Sequence, residues 1–481
     1  MKKITFPQML VYVSIGILFI YSLSIADFFV DSDIFWHIEN GRYMIEHKEI
    51  VKHAIHTYLG DDIPYVPHEW LYDIVHAVVY NISGWNGIMV LTLAMFVFMS
   101  YTMVKLMNAG IEDNRSQAPT SYHYAAILMF IVACVITYIG YKAYIFSMVM
   151  VMWFFIFLRQ YHRDGGKKEA LWMIVISFLF ANIHGGLWII MFAFFMMMVV
   201  EKISTKKMTK KDILLVCAII VAGCINPGGI KTFAYTFVVG DTKNYLQNFS
   251  SIQFDTYHYF FFINLAVMLY LSYFIFGKSL FHKLFVLGML FLGTMSYYHH
   301  LYMMVMIPYL IGTSLHQALP VEPRESLSFL TQKRTIFLMI ATTVVAAGYH
   351  LYKGETVPKK YYPVEEMTYI LKDHPTKRPK VLADFNSSGY VVFKRADVLA
   401  DSRVDPYVQP QTKNKEGDTA VERLFKAYAS EINNDYLKKL AKEEQVDYVI
   451  VPDIGKKEMK KFEKTLGKPD FKGSYGYVWK K

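Results

Sequence analysis

Two acids stand two residues apart at Asp31-Ser32-Asp33, just past the first apolar run of the chain. On an extended segment their side chains share one face. On a helix they diverge by about 200°. Such a pair can bind a divalent cation, or one member can act as a general base. The plain alternative is an acidic turn that ends a helix. His37 follows Asp33 by four residues, so on a helix the two share a face, as a metal site or a hydrogen-bonded pair requires. Trp36 between them suits a membrane–water interface equally well. Further on, Pro67-His68-Glu69-Trp70 brings another carboxylate and imidazole, and Glu69 also fits a helix start favoured by the macrodipole.

Beyond this loop the polar groups are sparse. Lys142, His184, His299 and His300 stand at the ends of apolar runs. A reaction that releases a phosphate needs cations or donors of this kind to stabilise the leaving charge. A snorkelling lysine and a turn histidine are the structural readings. Asn182-Ile183-His184-Gly185-Gly186 falls at a tight turn, and Asn226-Pro227-Gly228-Gly229 reads as a structural helix break. There is no His-Glu-x-x-His zinc helix, no Gly-x-Ser-x-Gly elbow and no phosphate-binding P-loop. Hydrolases of those kinds and ATP-driven pumps are thereby disfavoured.

The elements that must position these groups are membrane helices. Of 481 residues 54% are hydrophobic and only 19% charged, and the mean hydropathy is +0.25. That leaves too little polar surface for a soluble globule of this size. Eleven spans are expected, at about 7–28, 85–107, 123–141, 143–159, 169–183, 186–200, 212–226, 258–277, 283–298, 300–318 and 335–351. The first resembles a signal peptide at its ends, but its apolar stretch is long for one. With the N-terminus inside, the inner loops hold eighteen Lys and Arg and the outer loops before residue 352 hold six. That bias expects a cytoplasmic N-terminus and an extracytoplasmic C-terminus. The polar motifs then meet on the outer face. Costly polar groups at membrane depth are usually kept for function, and Gly and Pro beside them let the backbone open onto a cavity.

The three cysteines, Cys134, Cys217 and Cys224, lie in apolar runs and imply neither disulfides nor a Cys-x-x-Cys metal site. The net charge of +10 is a membrane charge pattern, and nucleic acid is not an expected partner. The fold class is a polytopic α-helical membrane protein with a C-terminal extracytoplasmic α/β domain. The domain division is 1–351, including a long first outer loop at 29–84, and 352–481. In the tail, Tyr362 to Asp373 and Asp435 to Glu444 read as amphipathic helices. Lys380 to Phe385, Gly389 to Phe393 and Val446 to Val451 read as strands. Its basic surface suits either anionic headgroups or plain solubility.

The motif Asp31-x-Asp33-x-x-Trp36-His37-x-x-x-Gly41-Arg42, followed by Pro67-His68-Glu69-Trp70-Leu71, resembles the first outer loop of a bacterial branch of the GT-C membrane glycosyltransferases. Asn182-x-His184-Gly185-Gly186 and Asn226-Pro227-x-Gly229 match that branch in order and spacing. So do Ala383-Asp384-Phe385, Gly389-Tyr390 and Asp401-Ser402-Arg403-x-Asp405 in the tail. The chain departs from it in carrying Lys142 and Tyr298-His299 near positions where the branch often has Arg.

The resemblance implies a polyprenyl-phosphate-linked sugar as donor and an envelope glycan, lipid or protein as acceptor. Transfer would occur on the outer face of the cell membrane. It implies a hexosyl or pentosyl transfer, inverting at the anomeric carbon. Asp33 or Asp31 would deprotonate the acceptor or hold a divalent metal, Mg or Mn. His37, Arg42, His68 and Glu69 would line the substrate site, with Lys142, His184 or His300 near the departing phosphate. Two other readings stay open. One is an inactive relative whose outer domain serves as a scaffold. The other is a lipid-linked oligosaccharide transporter, which the lack of a twofold repeat and of mid-span charges disfavours.

Overall fold

A computed structural model describes residues 6–24, 28–29, 32–60, 62–114, 121–138, 140–233, 259–318, 330–374, 376–428 and 434–481. The elements run α1 (Phe6–Ser24), α2 (Asp33–His47), α3 (Trp70–Asp113), α4 (Ser121–Tyr138), α5 (Tyr144–Asp164), α6 (Lys167–Ile183), α7 (Trp188–Ser204) and α8 (Lys210–Cys224). There follow α9 (Tyr259–Tyr273), α10 (Leu280–Met295), α11 (Tyr297–Ala318) and α12 (Gln332–Lys353). The C-terminal part holds α13 (Val364–Asp373), β1 (Val381–Leu382), α14 (Phe385–Phe393), α15 (Ala420–Tyr428), α16 (Asn434–Glu443), β2 (Tyr448–Pro452), α17 (Lys456–Leu466), β3 (Phe471–Lys472) and β4 (Gly476–Lys480). The chain divides into two compact units: residues 1–27 with 89–354, and residues 28–88 with 355–481.

The first unit is helical. Its described residues are mostly helical. Among the described residues, four helices are long and apolar enough to cross a membrane: Trp70–Asp113, Tyr144–Asp164, Gly185–Ser204 and Gln332–Lys353. Four shorter apolar helices accompany them, at Tyr12–Ser24, His123–Cys134, Phe261–Tyr273 and Leu280–Met295. Helices apolar all round are stable only where lipid or other helices cover them. The helices are tied together where charges occur. Asp113 accepts from Arg159 Nε at 2.6 Å, Arg163 Nη1 at 2.7 Å and the Tyr309 hydroxyl at 2.9 Å, which joins α3, α5 and α11. Asp212 accepts from Lys202 at 2.6 Å and from Tyr161 at 3.0 Å, and it closes a capping box with Thr209 at the start of α8.

The second unit joins the first long loop to the C-terminal segment. Its four-stranded sheet has the order β1-β2-β4-β3, with β1 parallel to β2 and the other pairs antiparallel. Phe35 of α2, fully buried, is the meeting point. Its ring lies 4.8 Å from Tyr362, 5.1 Å from Tyr390, 5.5 Å from Trp85 and 5.6 Å from Phe393. Burying one such ring contributes about 1.5–3 kcal/mol. Backbone bonds add to the join: Tyr58 N–H donates to Val398 O at 3.2 Å, and Val398 N–H to His56 O at 3.0 Å. The division by shared core is therefore 28–88 with 355–481, across more than 260 intervening residues.

Two expected strands are corrected. Gly389 to Phe393 is helical, as part of α14, because Asp384 caps the helix by accepting from Asn386 N and Ser387 N. The same cap cuts the strand expected over Lys380 to Phe385 down to Val381–Leu382. Helix α3 is broken at Gly84, whose φ of 59° and ψ of −149° only glycine adopts readily.

Candidate active site

In the second unit α2 and α3 meet backbone to backbone at Gly41. A Cβ there would lie 2.1 Å from the carbonyl oxygen of Asp73, so no larger residue fits without moving a helix. This contact sets the face of α2 carrying His37 and Asn40 against Asp73. His37 Nδ1 and Asp73 Oδ1 are 2.5 Å apart, and Asn40 Nδ2 donates to Asp73 Oδ2 at 3.4 Å. Glu69 Oε2 stands 3.9 Å from His37 Nε2 and 3.5 Å from His68 Nε2. His68 Nδ1 is 2.9 Å from the carbonyl of Val66. Burial pushes His68 down to about 4, with His37 adding to the effect against the Val66 bond, so His68 is neutral at pH 7.

Asp33 begins α2 and is partly exposed. Its Oδ1 accepts from the Trp36 indole N–H at 3.0 Å and from the Ser402 hydroxyl at 2.7 Å. Trp36 stacks on His37, with ring centroids 3.6 Å apart. Arg403, next to Ser402, forms a fork with Asp401: Nε reaches Oδ1 at 2.9 Å and Nη2 reaches Oδ2 at 2.5 Å. Both side chains are at most 1% exposed. Burial alone would weaken the Arg403 charge, yet Asp401 holds its guanidinium well above the ordinary arginine value. Arg403 Nη1 also donates to Asn40 Oδ1 at 3.3 Å, which ties the C-terminal loop to α2.

Arg42 lies in a neighbouring cluster. It donates to Glu39 at 3.3 Å and to Asn81 Oδ1 at 3.2 Å, and it covers the Tyr80 ring at 4.9 Å. Arg378 and Arg395 approach the same Glu39 carboxylate at 3.7 and 3.4 Å. Burial holds Glu39 above its usual value against the pull of Arg395, Arg42 and Arg378. Buried His56, beside them, is pushed down to about 2 by burial and by Arg378, Arg403 and Arg395.

The remaining expected residues belong to the helical unit. His184 Nδ1 is 3.0 Å from Ser147 Oγ, which in turn lies 2.6 Å from the Tyr302 hydroxyl. Lys142 is half-buried at the turn before α5. His299 Nδ1 pairs with Ser296 Oγ at 2.8 Å. His300 is fully buried, and its Nδ1 lies 3.0 Å from Gly293 O. Asn182 Nδ2 donates to Phe178 O and Ile225 O, and Asn226 Oδ1 accepts from Gly228 N and Thr232 Oγ1. Both asparagines thus hold turns.

Asp33, His37, His68 and Glu69 therefore gather in one unit, Arg42 sits beside them in its own cluster, and Lys142, His184 and His300 are held by separate contacts in the other. Asp31 lies outside the described residues. Among the described residues no three His, Cys, Asp or Glu side chains are grouped to hold a metal ion. Oδ1 of Asp33 points at an N–H and an O–H donor. The expected Mg or Mn site pairs Asp33 with Asp31, which is not among the described residues, and no step is routed through a metal. Asp73, Asn40 and Ser402 are the members of the network that sequence reasoning missed. Asp73 falls one turn after Glu69 on α3. Ser402 was visible only as part of a tail motif with no role attached.

No family profile and no curated protein matches the chain. Among solved structures it is similar to the oligosaccharyltransferase of Archaeoglobus fulgidus in its apo form. The TM-score is 0.56 at 10% identity, over 92% of this chain and 69% of that one. The likeness is one of fold. The chain shares with it an arrangement of apolar helices and carries a small C-terminal sheet. The bacterial branch rests on the sequence motifs alone.

Proposed function

We propose that the protein is a membrane glycosyltransferase that moves a sugar from a polyprenyl-phosphate carrier to a cell-envelope acceptor. The observation that carries the reading is Asp33. It is a partly exposed carboxylate at a helix start, oriented by two donors, in a chain with a GT-C-like fold. In the reaction, the acceptor hydroxyl gives its proton to Asp33 while its oxygen attacks the anomeric carbon. The bond from that carbon to the phosphate oxygen breaks, and the polyprenyl phosphate leaves with the electron pair. One displacement of this kind inverts the anomeric centre. Proton removal by a placed carboxylate contributes about 10²–10⁴-fold. The leaving phosphate carries developing charge, which positive groups and donors stabilise. The outer face of the cell membrane is the side we assign to the reaction, from the Lys and Arg bias of the loops.

The test uses the full chain in vesicles. Labelled polyprenyl-phosphate glucose, galactose, mannose and arabinose are offered with envelope extract as acceptor. Transfer of one sugar by wild type, reduced about 10²–10⁴-fold in Asp33→Asn with unchanged thermal unfolding, is the expected result. Full transfer by Asp33→Asn removes Asp33 as the base. No transfer of any of the four by folded wild type counts against this donor class.

A further inference from the structure

We propose that Ser402, in the C-terminal segment, is a positioning residue for Asp33, so that this segment forms part of the catalytic apparatus. The inference rests on Asp33 being the base. Ser402 is 369 residues from Asp33 in sequence, and its hydroxyl donates to Asp33 Oδ1 at 2.7 Å. The second donor to the same oxygen, Trp36 Nε1, lies one helical turn from Asp33. The same C-terminal loop also reaches that donor's ring, with the Arg403 guanidinium 5.5 Å from the Trp36 ring centroid.

The loop is fixed independently of Asp33. Asp401 and Arg403, on either side of Ser402, are locked in their buried fork, and Tyr407 donates to Asp401 Oδ2 at 3.0 Å. Helix α14 closes the third side. A Cβ on Gly389 would lie 2.8 Å from Ser32 O and 3.5 Å from Ser402 Oγ, so the helix backs directly onto the turn that begins α2. Ser402 is thereby held beside Asp33, with its hydroxyl donating to Oδ1.

Hydrogen bonds to a carboxylate favour its charged form and fix its plane. Losing one donor has two effects. Asp33 titrates at higher pH, and it is aimed less well at the acceptor. A serine that merely filled space would do neither.

The experiment compares wild type, Ser402→Ala, Ser402→Thr and Asp33→Asn as full chains in vesicles, over pH 4–8, with the four labelled donors above. For Ser402→Ala, kcat is expected to fall about 10-fold with KM within about 2-fold, and the acid limb of kcat/KM to move up by about 0.5–1 pH unit. Ser402→Thr, which restores the hydroxyl, returns both. An infrared difference titration of the Asp33 carboxylate, isolated by subtracting Asp33→Asn, reads the same shift without substrate. It decides the matter even if none of the four donors is used. An unmoved infrared midpoint and pH limb in folded Ser402→Ala overturn the inference while leaving Asp33 as the base. Undiminished transfer by Asp33→Asn overturns the base itself.

Discussion

Asp113 of the helical unit and Asp33 of the loop–tail unit are both held by side chains distant in sequence, but the chemistry of the grip differs. Asp113 is clamped by Arg159 and Arg163 and by the Tyr309 hydroxyl. Its negative charge is answered by full positive charges, and what it achieves is to bind three helices together. Asp33 Oδ1 accepts from an indole N–H and a hydroxyl, two donors without formal charge. A carboxylate clamped by guanidinium is a poor proton acceptor, whereas one aimed by neutral donors keeps more of its basicity.

The sharpest way to break this contrast within the loop–tail unit is to convert one grip into the other. Asp401→Asn leaves the Arg403 guanidinium buried without its counter-charge. It is expected to destabilise the unit by about 3–5 kcal/mol, read as a lowered unfolding midpoint of the full chain. Arg403 also donates from Nη2 to the Ile55 carbonyl at 3.2 Å and to the Tyr407 hydroxyl at 3.0 Å, and a change below about 1 kcal/mol would show that these and Asn40 are enough to hold it.

A smaller effect tests burial without ion pairing. His68 is pushed down to about 4 from an ordinary value near 6.5. Between those two pH values the unfolded chain binds a proton that the folded unit refuses. Stability is therefore full above about 6.5 and declines as pH falls toward 4, by up to about 1.4 kcal/mol per pH unit from this group. His68→Gln is expected to flatten that part of the stability–pH curve, measured by chemical unfolding from pH 7 to pH 4. An unchanged slope would place the acid sensitivity elsewhere.

The two units were also legible to different degrees. The helices of the first follow from long apolar runs, and a run such as Met9 to Leu23 leaves few alternatives once a bilayer is the solvent. The helical spacing of Asp33, His37 and Gly41 was open in the sequence between extended and helical forms, and α2 resolves it as helix. The tail was harder. Tyr390, Val391, Val392 and Phe393 have strand-like composition, but the Asp384 cap starts a helix before them, and tertiary packing on Phe35 keeps it. The union of residues 28–88 with 355–481 had no local signal at all. It depends on which aromatic faces fit each other and on a buried Asp401–Arg403 fork reaching Asn40. The tail motif Asp401-Ser402-Arg403 could be seen in the sequence, but its target could not.

The most direct measurement is turnover per folded molecule for Asp33→Asn and Asp113→Asn side by side, with the folded fraction taken from thermal unfolding. The account predicts that Asp33→Asn unfolds like wild type and loses transfer by about 10²–10⁴-fold, while Asp113→Asn unfolds at lower temperature and each folded molecule turns over as wild type does. Transfer that survives in Asp33→Asn, or a loss of turnover in folded Asp113→Asn as large as the one expected for Asp33→Asn, would contradict it.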